Sequence, residues 1–157
     1  LKKFPYIILP QDVVVTTQIE KDAPVRICSV QGIEKNEKIV DIGPQTIAQV
    51  QDSLNAAKTL IWNGPLGVFE VPPFHQGTQA VMKIVGNLSR NKQILSVIGG
   101  GETVAAAYQA NVQEDLGFIS TAGGAFLEWL EGKQLPGIIA LCQNADTHER
   151  DKRENYQ

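Results

Sequence analysis

An α/β fold built on a parallel sheet is the architecture this chain predicts, and three observations predict it. Short apolar runs at Thr59-Leu-Ile-Trp62, Ile94-Leu-Ser-Val-Ile98 and Phe118-Ile119 read as buried strands. Each leads into a glycine-bearing turn: Trp62-Asn-Gly-Pro-Leu-Gly-Val-Phe-Glu70, Gly99-Gly-Gly-Glu-Thr103 and Ser120-Thr-Ala-Gly-Gly-Ala125. Each turn precedes a segment of helical periodicity. Strand, turn and helix repeated in one direction give Rossmann-like β-α units, whose turns gather along one sheet edge where open α/β sheets bind ligands. Glycine lets backbone approach closely, and first-turn N–H groups of a helix favour negative charge, so the expected ligand is phosphorylated.

The remaining elements follow in chain order. Asp12 to Thr16 reads as an apolar, β-branched strand; Val25 to Val30 and Ile39 to Ile42 are two more, joined by the polar turn Glu34-Lys-Asn-Glu-Lys38. Pro44 suits a first helical position, and Ile47, Val50, Leu54 and Ala57 recur at helical spacing. After a turn-like Val71-Pro-Pro-Phe-His-Gln-Gly77, the positions Ala80, Val81, Ile84, Val85 and Leu88 mark a second amphipathic helix, ended by Ser89-Arg-Asn-Lys92. A short Ala-rich helix follows Gly101. A last helix begins near Ala125, and Gly132 is placed to terminate it. From Asp146 the chain is charged with no apolar face, which predicts a frayed tail over 146–157 after a domain portion over 1–145.

Composition narrows the function. The chain has 157 residues, 43% of them hydrophobic, enough for one domain with a core. A net charge of −3 argues against nucleic-acid and anionic-membrane surfaces, and no apolar run approaches the roughly 20 residues that span a bilayer. With no signal-peptide pattern at its start, the expected location is cytoplasmic. Cys28 and Cys142 have neither zinc-site nor disulfide-framework spacing and read as reduced, buried thiols; His75 and His148 read as ordinary loop and surface histidines.

WNGPLGVFE, GGGET and STAGGAFLEWLEGKQLPG, preceded by LPQDVVV at Leu9 to Val15 and DIGP at Asp41 to Pro44, together resemble the carboxyl-terminal, nucleotide-binding domain of the phosphoglycerate kinase family. Order and spacing match from about Ile7 to Leu141. The resemblance covers part of the family's architecture: its amino-terminal domain and the first part of its nucleotide domain have no counterpart here. The start in mid-pattern without an initiator methionine agrees with a fragment.

The resemblance implies roles. It gives ribose hydroxyls to Glu70, and nucleotide contacts to Gly43, Pro44, Asn63, Pro65, Gly67 and Val68, with Val68 and Phe69 as an apolar wall for a base. Gly100, Gly101, Glu102 and Thr103 would hold the phosphates, Glu102 serving magnesium where the family usually has aspartate. Gly123 and Gly124 would steady the transferring phosphoryl group through backbone N–H donors, with Ala122 at a position usually glycine, which tests whether that position needs a positive φ. The implied cofactor is Mg2+ with ATP or ADP. The implied acceptor is 3-phosphoglycerate, bound through the missing amino-terminal domain, and the full-length parent is expected to be a monomer.

As residues alone, these motifs leave alternatives open. The Asn63 to Glu70 loop is either a tight structural turn with a solvated glutamate or a sugar-binding loop, and Glu102 is either a helix-dipole carboxylate or a metal partner. Neither the three turns nor Asp41-Ile-Gly-Pro44 contains a lysine or arginine, which excludes a phosphate loop of the Gly-x-x-x-x-Gly-Lys-Ser/Thr type. The expected function is the nucleotide-binding part of a phosphotransferase, inactive by itself. The alternatives are a non-catalytic nucleotide-binding or interaction module that keeps the fold, and a folding fragment with no function of its own.

Overall fold

The computed structural model describes residues 6–142, which fall into two compact units meeting after Thr121. The predicted tail over 146–157 and His148 lie outside the described residues.

The first unit holds two three-stranded sheets. β1 (Asp12–Thr16) is the centre of an antiparallel sheet, flanked by β2 (Arg26–Ser29) and β3 (Lys38–Ile42) in the order β2-β1-β3. Its central position matches its sequence, because DVVVT is buried along nearly its whole length while β2 is largely exposed. The Glu34–Lys38 turn does not make a hairpin between its flanking strands, since β2 and β3 each pair with β1 and not with each other. The turn is instead held by Glu37, whose carboxylate accepts from the Glu34 N–H at 2.8 Å and from Arg26 of β2. A register shift between Val14 and Val15 lets β1 bend between its two neighbours.

The predicted parallel sheet is the second one, in the order β4-β5-β6: β4 (Thr59–Asn63), β5 (Leu95–Gly99) and β6 (Phe118–Ser120). Its register pairs Asn63 with Gly99 and Gly99 with Ser120, so the three strands end level and their turns leave from one edge. Helix α1 (Pro44–Ala56) carries proline at its first position as expected. Helix α2 spans Gln76–Arg90, and α3 Gly101–Gln109, followed by a short 3-10 helix at Gln113–Asp115. The apolar stripes close over one core in which Met82, Val85, Ile98, Ala106 and Ala107 are fully buried.

Helix α2 starts earlier than the apolar periodicity indicates, so Gln76 and Gly77 belong to the helix and His75 is its N-cap. The cause is a cap delivered from far along the chain: the Asp41 carboxylate of β3 accepts the Gly77 N–H at 2.6 Å. The cysteines are free, but the expected burial is wrong: Cys28 is half-buried on an edge strand, and Cys142 is exposed.

In the second unit, helix α4 spans Gly123–Leu130, starting two residues ahead of the expected Ala125. Gly132 follows it at φ +80°, the left-handed conformation that ends helices. Residues 136–142 are helical again.

Candidate nucleotide site

Three helices of the first unit begin near the turns that the sequence singles out, and they begin differently. At α1, Asp12 from the start of β1 supplies the cap. Its carboxylate accepts the N–H groups of Gln45 at 3.0 Å and Thr46 at 2.8 Å, and the Thr46 hydroxyl at 2.8 Å. Burial pushes the Asp12 carboxyl up, but these donors together outweigh it and hold the group below its ordinary value. Gly43 is buried beside this carboxylate, and a Cβ there would overlap it. Gly43 therefore makes room for the cap of α1, and Pro44, expected with it at the nucleoside, is exposed.

At α2, Asp41 performs the equivalent service. It is 2% exposed, and its two oxygens accept from Gly77 and, at 2.8 Å, from the N–H of Ile42. Burial raises its carboxyl above the ordinary value, against the pull of those two N–H donors and of nearby His75.

At α3 no side chain among the described residues closes the first turn. Gly100 is its N-cap at φ +87° and ψ 139°, a conformation that L side chains rarely adopt, and a Cβ there would lie 2.8 Å from Asn63 Oδ1. Gly101 has open space around it, and Gly101 and Glu102 are exposed. Among the described hydrogen bonds, none caps the N–H groups of Gly101 or Glu102 with a side chain. This helix start sits at the level carboxyl ends of β4, β5 and β6, with the Gly100 N–H donating to the Ser120 carbonyl at 3.2 Å.

The two neighbouring turns are tied to each other. Thr103 is fully buried, and its hydroxyl accepts the Gly64 N–H at 2.6 Å. The side chain expected at a phosphate holds the Asn63 to Glu70 loop against the start of α3 through this bond. Gly64 has φ +105°, and the Trp62 indole N–H donates to its carbonyl at 2.6 Å. Pro65 and Val68 are half-buried and Asn63 is exposed. Val68 donates to the Val40 carbonyl at 2.9 Å, and Gly67 packs so closely on β3 that a Cβ would lie 2.7 Å from Asp41 Oδ1. Phe69 is buried in the main core, so it supports the loop from beneath and does not form an open wall for a base. Glu70 is exposed at the loop's end.

Gly123 and Gly124 begin α4 in the second unit, the first buried and the second exposed with open space at its Cβ position. Ala122, the N-cap, has φ −93°, so this position does not demand the positive φ that only glycine accepts easily.

Sequence reasoning missed Asp12 and Asp41 as caps. The available signal was a carboxylate at the head of, or inside, an otherwise apolar strand, a position that charge occupies only when it is paired.

No helix among the described residues is long and apolar enough to cross a membrane. The family model described as "Phosphoglycerate kinase" matches residues 2–133. The chain is 49% identical over 133 residues to a phosphoglycerate kinase of Zymomonas mobilis, covering 85% of this chain and 34% of that one. With a phosphoglycerate kinase of Azorhizobium caulinodans the identity is 51% over 135 residues, covering 86% and 34%. The solved structure of phosphoglycerate kinase from Coxiella burnetii superposes with a TM-score of 0.81 at 41% identity, covering 92% of this chain and 36% of that one. That from Pyrococcus horikoshii gives 0.72 at 30% identity, covering 88% and 33%. The chain thus spans about a third of the length of the relatives it matches.

Proposed function

Because the chain belongs to the phosphoglycerate kinase family, we propose that it supplies the nucleotide half of that enzyme's site, holding ADP or ATP at the carboxyl edge of its parallel sheet. The observation that supports this most is the contrast among helix starts: α1 and α2 are filled by Asp12 and Asp41, while α3 presents uncapped N–H groups behind a strained Gly100. Anions favour such an end, because its N–H groups lack intrahelical acceptors and the helix dipole is positive there. In this reading the phosphates lie against Gly100 to Glu102. Thr103 joins the phosphate turn to the ribose loop, and exposed Glu70 accepts the sugar hydroxyls.

Magnesium fits this arrangement as an ion carried in by the nucleotide. Among the described residues no group of three or more His, Cys, Asp or Glu side chains could hold a metal, whereas Glu102 alone stands exposed in the first turn of α3. Magnesium takes one or two carboxylates and fills its octahedron with phosphate and water oxygens, so a single Glu102 beside the phosphates suits it. When bound, the ion would neutralise phosphate charge that no lysine or arginine of these turns offsets.

The activity of the whole enzyme, phosphoryl transfer between 1,3-bisphosphoglycerate and ADP in the cytoplasm, needs an acceptor site that the described residues do not supply. A ligand bearing carboxylate and phosphate calls for clustered arginines, and among the described residues Arg26 and Arg90 stand apart, engaged by Glu37 and Asp115. Gly123 and Gly124 stand at the start of a helix and take the transition-state role in this reading. The chain alone therefore binds nucleotide without turning it over.

The test is calorimetric titration with magnesium-ADP and its 2′,3′-dideoxy analogue. Glu70→Gln is expected to weaken ADP by roughly ten- to a hundredfold, the worth of one hydrogen bond to a charged group, and to leave the analogue unchanged. Equal losses for both would give Glu70 a structural role. No heat at millimolar ADP from the folded wild-type chain would overturn the nucleotide reading.

A further inference from the structure

We propose that Asp41 is the positioning residue for the loop that carries Glu70; the inference rests on the nucleotide reading above and states how that site is held in shape. Asp41 sits in β3 with 2% of its surface exposed, and no step of ligand binding uses it directly. Its carboxylate is where three parts of the chain converge. One oxygen takes the Gly77 N–H of α2 at 2.6 Å and the other its own neighbour's, Ile42, at 2.8 Å. Gly67 of the loop lies so near that even a methyl group would come within 2.7 Å of Oδ1. The flanking residues are fastened on the same two elements: Leu66 donates to Thr78 Oγ1 of α2 at 3.1 Å, and Val68 to the Val40 carbonyl of β3 at 2.9 Å. The fixed stretch Leu66 to Val68 ends two residues before Glu70.

A buried acceptor at the junction of strand, helix and loop sets where the loop's second arm leaves the protein. Without it the Gly77 N–H loses its acceptor, a void opens under Gly67, and Glu70 no longer has a single exit path.

The experiment measures amide hydrogen exchange and nucleotide titration side by side on wild type, Asp41→Ala, Asp41→Asn and Gly67→Ala. For Asp41→Ala, exchange at Leu66, Val68 and Gly77 is expected to accelerate roughly tenfold or more. Affinity for ADP should fall about five- to tenfold, while affinity for the dideoxy analogue changes little, because only the ribose contact depends on the loop. Asparagine keeps an acceptor for Gly77 and should restore most of both readouts. Gly67→Ala pushes a methyl group against the carboxylate and should reproduce the ribose-selective loss even if Asp41→Ala does not fold. Unchanged exchange at Leu66 and Val68, or equal losses for both nucleotides in a variant that still unfolds cooperatively, would overturn the proposal. A wild-type chain silent to nucleotide would overturn the nucleotide reading instead, and the exchange comparison would still decide whether Asp41 holds the loop.

Discussion

The starts of α1 and α2 on one side, and the start of α3 on the other, solve the same physical problem in opposite ways. Every helix leaves its first N–H groups without intrahelical partners. At α1 and α2 those groups meet buried aspartates from neighbouring strands, Asp12 and Asp41, with glycines Gly43 and Gly77 giving the carboxylates room. At α3 the chain spends three glycines on keeping the same kind of end open, and accepts a positive φ at Gly100 to do so. The first solution fixes the fold, and the second is the one we propose for an external anion. Two helix starts of one chain can thus differ in function through where a single carboxylate sits.

The largest effect should come from emptying a filled helix start. Asp12→Ala removes the acceptor of two N–H groups and one hydroxyl at a buried site, and is expected to lower unfolding free energy by about 3 kcal/mol in urea titrations. A loss below about 1 kcal/mol would mean that α1 does not depend on its borrowed cap. Next comes Gly100→Ala, where a Cβ meets both a positive φ and Asn63; about 2 kcal/mol of stability should go, together with most of the nucleotide affinity. Thr103→Val strands the Gly64 N–H beside a buried methyl group and should cost about 1.5 kcal/mol, with Thr103→Ser recovering most of it.

The two aspartates should also differ in how stability follows pH. Asp12 is held below its ordinary 3.8, so its contribution is present above that value and disappears as pH falls through the folded-state value. Asp41 is raised above 3.8, so its contribution is present below that value and is lost as pH rises through the raised one. Measured against pH, the stability difference between wild type and Asp12→Asn should shrink toward acid, and that between wild type and Asp41→Asn should shrink in the opposite direction. Parallel profiles would show that the two caps are not electrostatic opposites. The smallest structural effect belongs to Gly101→Ala. With open space at that position, stability should stay within about 0.5 kcal/mol of wild type, while nucleotide affinity falls severalfold because phosphate can no longer approach the backbone.

Local patterns carried the parallel half of the fold. Apolar runs at Thr59, Ile94 and Phe118 followed by glycines became β4, β5 and β6 with level ends, because strand and turn chemistry there depend on neighbours in sequence. The antiparallel sheet was less legible: the Glu34 to Lys38 turn looks like a hairpin connection, yet β1 intervenes between the strands it joins, and no local signal records that. The start of α2 was misplaced for the same reason, since its cap lies 36 residues away in Asp41. At the glycine turns, the glycine-built start of α3 and the solvated position of Glu70 are readable from turn composition. The inward role of Thr103, the burial of Phe69 and the packing role of Gly43 are not, because each depends on what another segment places opposite.

In the proposed reading the start of α3 is open to anions while those of α1 and α2 are closed. Amide chemical-shift mapping during a titration with magnesium-ADP tests it residue by residue. Saturating shifts should appear at Gly100, Gly101 and Glu102 and through Asn63 to Glu70, with Gln45, Thr46 and Gly77 unmoved. Shifts centred on Gln45, Thr46 or Gly77, or a folded chain with no shifts at the start of α3, would overturn this reading of the three helix starts.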